Sequence, residues 1–255
     1  MNRPEFIVSD PVQFPRRFSR REDIEIAAFL VSAIAWGRRD LILRSAEKLF
    51  ALTGGEPYVF VMSADTRRLR GGSIHRTFFE KDLAYFCRGL KHCYQTFGNL
   101  ETLFLAGLGA AGPFPGKNTK KNGAVETLPF PKIWNALALF RETMAAGNGG
   151  AYSKHIADPA SMSACKRLNL SLRWLVRREG PVDLGLWTRI SPAELCIPLD
   201  LHVGRVARRT GLLDPARAAN DRKAVFTLTA RLREFSPEDP ARYDLALFGW
   251  GASGA

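Results

Sequence analysis

Lys166 and Asp200, 34 positions apart, carry the pattern with the most chemical content in this chain. The stretch from Asp158 to Asn169 reads as a hairpin leading into a helix that runs to about Arg177, with Lys166 in its first turn. A helix dipole disfavours a cation at that end, and a lysine acting as a nucleophile must be neutral. Asp200 stands two residues after Pro198 and opens a helix that Gly211 closes, so it is placed as an N-cap. A cap carboxylate is held in one direction by backbone donors, which also suits work at the edge of a cleft. Arg173, seven residues after Lys166, shares its helix face across two turns. Taken singly, the lysine reads as a solvated surface residue and the aspartate as a cap; their pairing is what suggests chemistry.

The elements that must position them are helical. Apolar residues recur three and four apart through nearly every long segment, which predicts an all-α chain. Ser19–Asp23 precedes a first helix, with Ile24, Ala27, Ala28, Val31, Ile34 and Ala35 on its stripe and Gly37 behind it. A second helix covers Arg38–Leu52 and stops at Gly54-Gly55; others cover Glu80–Phe97, Asn99–Leu108 and Lys132–Ala146. Between the last two, Gly109–Pro131 is rich in Gly, Pro and Lys and reads as an exposed insertion. Trp36, Trp134, Trp174 and Trp187 are assigned to the core. His202 reads as a surface residue beside the cap, and His75, His92 and His155 have no partner in sequence. Gln13, after Asp10-Pro11, lies in a segment whose register is open.

Composition narrows the class. At 255 residues with 46% apolar side chains the chain is globular, large enough for two lobes sharing an interface. Its formal charge of +12 suits a polyanionic partner. The longest apolar run, Ile26–Trp36, is shorter than the roughly 20 residues of a membrane span, and the amino-terminal residues do not resemble a signal peptide, so a cytoplasmic protein is expected. Cys87, Cys93, Cys165 and Cys196 lack paired or clustered spacing and read as reduced core residues. No metal or organic cofactor is expected.

The run Pro198, Asp200, Val203, Arg205 resembles the Pro-x-Asp-x-x-Val-x-Arg signature of the helix-hairpin-helix DNA glycosylase superfamily. The resemblance covers roughly residues 160–251 and is nearest to archaeal 8-oxoguanine DNA glycosylases, in which a lysine opens the helix before that aspartate, as Lys166 does here. The glycine-rich hairpin of most superfamily members is replaced by Asp158–Ser163. The chain as a whole also resembles a bacterial family known only as a domain of unknown function. The glycosylase resemblance implies a two-lobed helix-hairpin-helix fold with a cleft between lobes, and a module of 1–255 whose working segment is 158–211. It implies catalysis by Lys166 and Asp200, and a base pocket in the segment Tyr243–Gly251, with Asp244 facing a flipped base and Phe248 stacking on it; Trp250 is a further candidate for that pocket.

The implied activity is base excision from DNA, with removal of an oxidised purine such as 8-oxoguanine through a lysine Schiff base and nicking of the strand at the apurinic site. Arg167, Arg173, Arg205, Arg208 and Arg209 are the expected phosphate contacts. The partner would be DNA containing a damaged base, handled by a monomer associated with the nucleoid. Two other readings stay open at this point: a non-catalytic DNA-binding module of the same fold, and a monofunctional glycosylase in which Asp200 activates water.

Overall fold

The structure is a computed structural model that describes residues 2–63, 66–110 and 130–253. Its helices are α1 (Pro4–Ser9), α2 (Arg21–Ile34), α3 (Arg39–Leu52), α4 (Pro57–Ser63), α5 (Glu80–Phe97), α6 (Leu100–Leu108), α7 (Lys132–Ala146), α8 (Lys166–Val176), α9 (Leu201–Arg209), α10 (Arg222–Phe235) and α11 (Asp244–Ala252). The only strands among the described residues are the short antiparallel pair β1 (Ser73–His75) and β2 (Phe78–Phe79). The chain is all-α, as its periodicity predicts. Of the predicted insertion Gly109–Pro131, positions 111–129 lie outside the described residues.

Helix α2 is the axis of the molecule. Every residue from Glu25 to Ile34 is buried, because α2 has neighbours on several sides: α8 packs along it, and α3 and α4 also touch it. A helix covered all round needs apolar residues all round, which is what Ile26–Val31 supplies. Phe29 stacks on Phe140 of α7 at 4.9 Å and on Phe104 of α6 at 5.8 Å, and Trp187 meets Phe104 at 5.2 Å. Burying each such ring contributes about 1.5–3 kcal/mol. Helix α7 lies against both α5 and α6, while α9 and α11 form a separate close pair.

Glu25 carries a carboxylate into this core. Glu25 accepts hydrogen bonds from Tyr94 Oη (2.8 Å), the Leu100 amide (3.3 Å) and Trp187 Nε1 (2.8 Å), and Arg21 Nε lies 3.3 Å away. Four elements are thus tied to one carboxylate, whose oxygens are fully used. Burial pushes its acid strength down, that is, its pKa up, against those four donors.

The cysteines are buried, free thiols, each pushed up in pKa by burial. Trp134, Trp174 and Trp187 fill core positions as expected, with Trp134 Nε1 donating to the Pro159 carbonyl at 3.0 Å. Trp36 does not: it follows the end of α2 and is half-buried against His75 and Arg76. The periodicity that predicts a core tryptophan there stops two residues earlier, where the helix stops. No helix among the described residues is long and apolar enough to cross a membrane.

Candidate active site

Lys166 is the first residue of α8, and the residue before it is strained. Cys165 has φ 47° and ψ 33°, a left-handed conformation that costs a non-glycine residue about 1–3 kcal/mol. The turn that leads into it is closed by its own side-chain oxygens: Asp158 Oδ1 accepts from the Ala160 amide, Ser161 Oγ from the Ser163 amide, and Ser163 Oγ from the Cys165 amide. The start of α10 and the residues just before it pin this hairpin from outside. Arg222 donates its amide to the Met162 carbonyl (2.9 Å) and its guanidinium to Pro159 and Ala160, and Asn220 Nδ2 donates to the Asp200 carbonyl at 3.0 Å. The lysine and the aspartate are therefore set by one continuous hydrogen-bonded frame. Gly204 belongs to that frame, since a Cβ there would collide with the Asn220 side chain.

Asp200 is the N-cap of α9, as its sequence context predicts. Its Oδ1 accepts from the Val203 amide at 2.9 Å, a contact worth about 1 kcal/mol to the helix. Its other oxygen, Oδ2, stands 3.8 Å from Lys166 Nζ. The carboxylate thus has one oxygen committed to the backbone and one turned to the amine, and both side chains remain partly accessible.

The pair opens on a cavity of about 570 Å³, inside the range of about 300–1,000 Å³ typical of small-ligand sites. Its wall includes Lys166 and Arg173 of α8, Asp200 and His202 at the start of α9, and Asp244 and Phe248 of α11. Trp36, Arg39, Phe6 and Asp10 close it from the amino-terminal side. His202 is not the surface residue expected: its ring meets Phe248 edge-on at 5.5 Å and its Nδ1 lies 3.1 Å from the Gly251 carbonyl. Gly251 makes the approach possible, because a Cβ there would stand 2.6 Å from the His202 carbonyl oxygen. Arg39 lies over the Phe248 ring at 5.6 Å.

Behind the cavity lies a buried ion network. Arg173, 2% exposed, reaches Asp244 Oδ2 at 2.5 Å and Asp183 Oδ1 at 2.9 Å; Arg177 pairs with Asp183 and with Asp239. Burial raises the Asp244 carboxyl to about 6, with Arg173 acting against it and Asp200 and Asp183 adding to the rise. Asp10 is also raised, by burial, against the Val12 amide and the fields of Arg39, Arg173 and Lys166. The two carboxyls differ in one respect. Asp244 holds a guanidinium, whereas among the described residues no cation lies within ion-pair distance of Asp10, whose Oδ1 accepts from the Val12 amide at 3.0 Å.

The structure brings Lys166, Asp200, Asp244 and Phe248 into one wall, and it relocates several of the other expected residues. Arg173 cannot touch a phosphate: it is sealed between two aspartates, because the face it shares with Lys166 is buried two helical turns further on. Arg208 is held by the carbonyls of Gly204, Arg217 and Ala219 and by Asn220 Oδ1, so it builds the loop after α9. Arg167 is half-buried and donates to the Ala33 carbonyl, tying α8 to the end of α2. Trp250 stands outside the cavity wall, 45% exposed, with Arg209 over its ring at 5.7 Å. Arg205 and Arg209 are exposed, as a phosphate contact requires. Gln13 bonds to the Val8 carbonyl and does not line the cavity; Asp10, three residues earlier, does. Among the described residues no group of three or more His, Cys, Asp or Glu converges as a metal site would.

A family model described as Protein of unknown function (DUF2400) matches residues 10–253. The chain belongs to this family. No curated protein and no solved structure matches it. The DUF2400 span takes in every cavity-lining residue named above except Phe6, including the amino-terminal Asp10 and the carboxy-terminal Phe248.

Proposed function

We propose that this protein is a DNA base-excision glycosylase with apurinic-site lyase activity, built on a two-lobed helix-hairpin-helix plan. The observation that carries the reading is Lys166 Nζ 3.8 Å from Asp200 Oδ2 at the mouth of a cavity with aromatic and carboxylate walls. A strained helix start, a capped carboxylate and a buried ion network are more than a solvated lysine needs, and such features cluster where a nucleophile is held ready.

The damaged nucleotide turns out of the duplex into the cavity, with Phe248, His202 and Trp36 as apolar and aromatic walls. Lys166 passes one ammonium proton through Asp200 to water, which leaves Asp200 a carboxylate again, and its nitrogen lone pair attacks C1′ of the sugar; the C1′–base bond breaks and its electron pair leaves with the base. Asp200 takes the second ammonium proton and passes it to the ring oxygen as the C1′–O4′ bond opens, leaving a Schiff base between Nζ and C1′. Loss of a C2′ proton then expels the 3′ phosphate, and water releases the lysine. Arg205 and Arg209 on α9 are the phosphate contacts in this reading, with the net charge of +12 drawing in the polyanion.

The test is borohydride trapping on duplex oligonucleotides carrying 8-oxoguanine, uracil or an abasic site. An adduct with wild type on 8-oxoguanine and abasic duplexes, absent in Lys166→Ala, is the expected result. An adduct that survives Lys166→Ala overturns the assignment of the nucleophile. Base release without any adduct, retained in Lys166→Ala, makes the enzyme monofunctional, with Asp200 activating water; salt-sensitive binding with neither base release nor adduct makes it a non-catalytic binder.

A further inference from the structure

The proposed reaction leaves one proton unassigned, and the cavity holds a group suited to supply it. When the C1′–base bond breaks, the electron pair stays on a base nitrogen, and a purine leaves readily only if that nitrogen or another on the ring is protonated. Asp200 is not free for this task. Its Oδ1 caps α9 and its Oδ2 faces Lys166, with which it exchanges protons in the reaction above. Asp244 is held through Oδ2 by Arg173.

Asp10 differs from both. It lies at the carboxy-terminal end of α1 and lines the same cavity, its Oδ1 caps the turn at Pro11–Gln13, and its second oxygen has no hydrogen-bond partner among the described residues. The charged groups around it are Arg39 from α3, Lys166 and Arg173 from α8, none within ion-pair distance, with Asp244 and His202 in the same wall from α11 and α9. A carboxyl oxygen without a hydrogen-bond partner among the described residues, in a cavity wall, can hydrogen-bond a ring nitrogen of a heterocycle turned into that cavity.

We infer that Asp10 is a further catalytic residue, the general acid that hydrogen-bonds the turned-out base and gives it the proton with which it leaves. This rests on the glycosylase reading above. The step balances: the O–H bond of the Asp10 carboxylic acid breaks, its proton joins the base nitrogen that receives the C1′–base electron pair, and Asp10 is left as a carboxylate that water re-protonates. Burial without a paired cation favours the protonated form that the step needs.

The experiment separates base release from the later lyase steps. Asp10→Asn keeps an oxygen for the Val12 amide, and so the turn, while removing the acidic proton; Asp10→Ser keeps a shorter oxygen and removes the second one. Single-turnover release of 8-oxoguanine is measured beside borohydride trapping on a duplex that already carries an abasic site, where no base has to leave. Both variants are expected to slow base release by about 10²-fold, the scale of one general acid, while trapping at the abasic site changes less than about twofold. Base release at the wild-type rate overturns the inference and leaves Asp10 as the cap of a turn. A parallel loss of abasic-site trapping also overturns it, since the residue would then act through the frame of the cleft. Wild type that forms no adduct on any of these duplexes fails the lyase reading itself, an outcome distinct from a difference between wild type and the variants.

Discussion

Glu25 and Asp10 are both acids withdrawn from water within a few turns of each other in sequence, and they are handled in opposite ways. Glu25 is surrounded by Tyr94, Trp187, Leu100 and Arg21, so both of its oxygens are occupied and four elements depend on it. Asp10 caps its own turn with one oxygen and turns the rest of its carboxyl to a cavity. A buried carboxylate whose donors all come from the protein holds a fold together, whereas one with a vacant oxygen beside a cavity is available to a ligand. Glu25 is fully buried and Asp10 half-buried; what assigns them different roles is the count of satisfied oxygens.

The comparison can be broken most directly at its structural end. Glu25→Gln puts an amide NH₂ among four donors and removes the charge opposite Arg21. It is expected to lower stability by about 3 kcal/mol, read as a fall in the urea midpoint at unchanged slope. A midpoint within about 0.5 kcal/mol of wild type would mean that the satisfied acid is not the structural one.

Asp244 stands between the two extremes, with a guanidinium on one oxygen and the cavity beside it, and pH sharpens its place. Its folded-state carboxyl is raised to about 6 from an ordinary 3.8. The folded state therefore binds this proton more tightly than the unfolded state does. That contribution to stability is fully present below about pH 4 and is lost as pH rises through about 6, with no further change above. Asp244→Asn removes this dependence: the difference in stability between wild type and variant should shift by on the order of 2 kcal/mol between pH 4 and pH 7, in favour of the variant at the higher pH. Urea midpoints at several pH values check it, and a constant difference would show that Arg173 alone governs the group.

The smallest effect is at the surface. Arg205→Gln is expected to reduce the slope of log binding constant against log salt by about 0.9 with stability unchanged. Arg208→Gln, which cuts four hydrogen bonds within the fold, should instead lower the unfolding midpoint.

How far the sequence could be read follows from where each residue sits. Lys166 and Asp200 stand at helix starts, and helix starts leave local marks: a proline-fixed turn, a capping aspartate, an apolar stripe beginning on cue. Asp244 and Phe248 were legible only through family resemblance, and the distances put them in the same wall as the lysine. Asp10, Trp36 and Arg39 escaped because they come from a short helix end, the residues after a helix and a helix start without a cap signal, where no period marks which way a side chain turns. The arginines misled for a related reason. Spacing put Arg173 on the face of Lys166 correctly, but only the partners Asp183 and Asp244, 10 and 71 residues away, decide that this face is inside. The hairpin β1–β2 and helix α4 are too short to establish a repeat at all.

The cavity draws its wall from Phe6 and Asp10 near one end of the chain and from Asp244, Phe248 and Ala252 near the other. During synthesis, Lys166 and Asp200 leave the ribosome well before α11 can pack against α9. A partly made chain consequently carries the amine and the aspartate without the part of the wall that Asp244 and Phe248 supply.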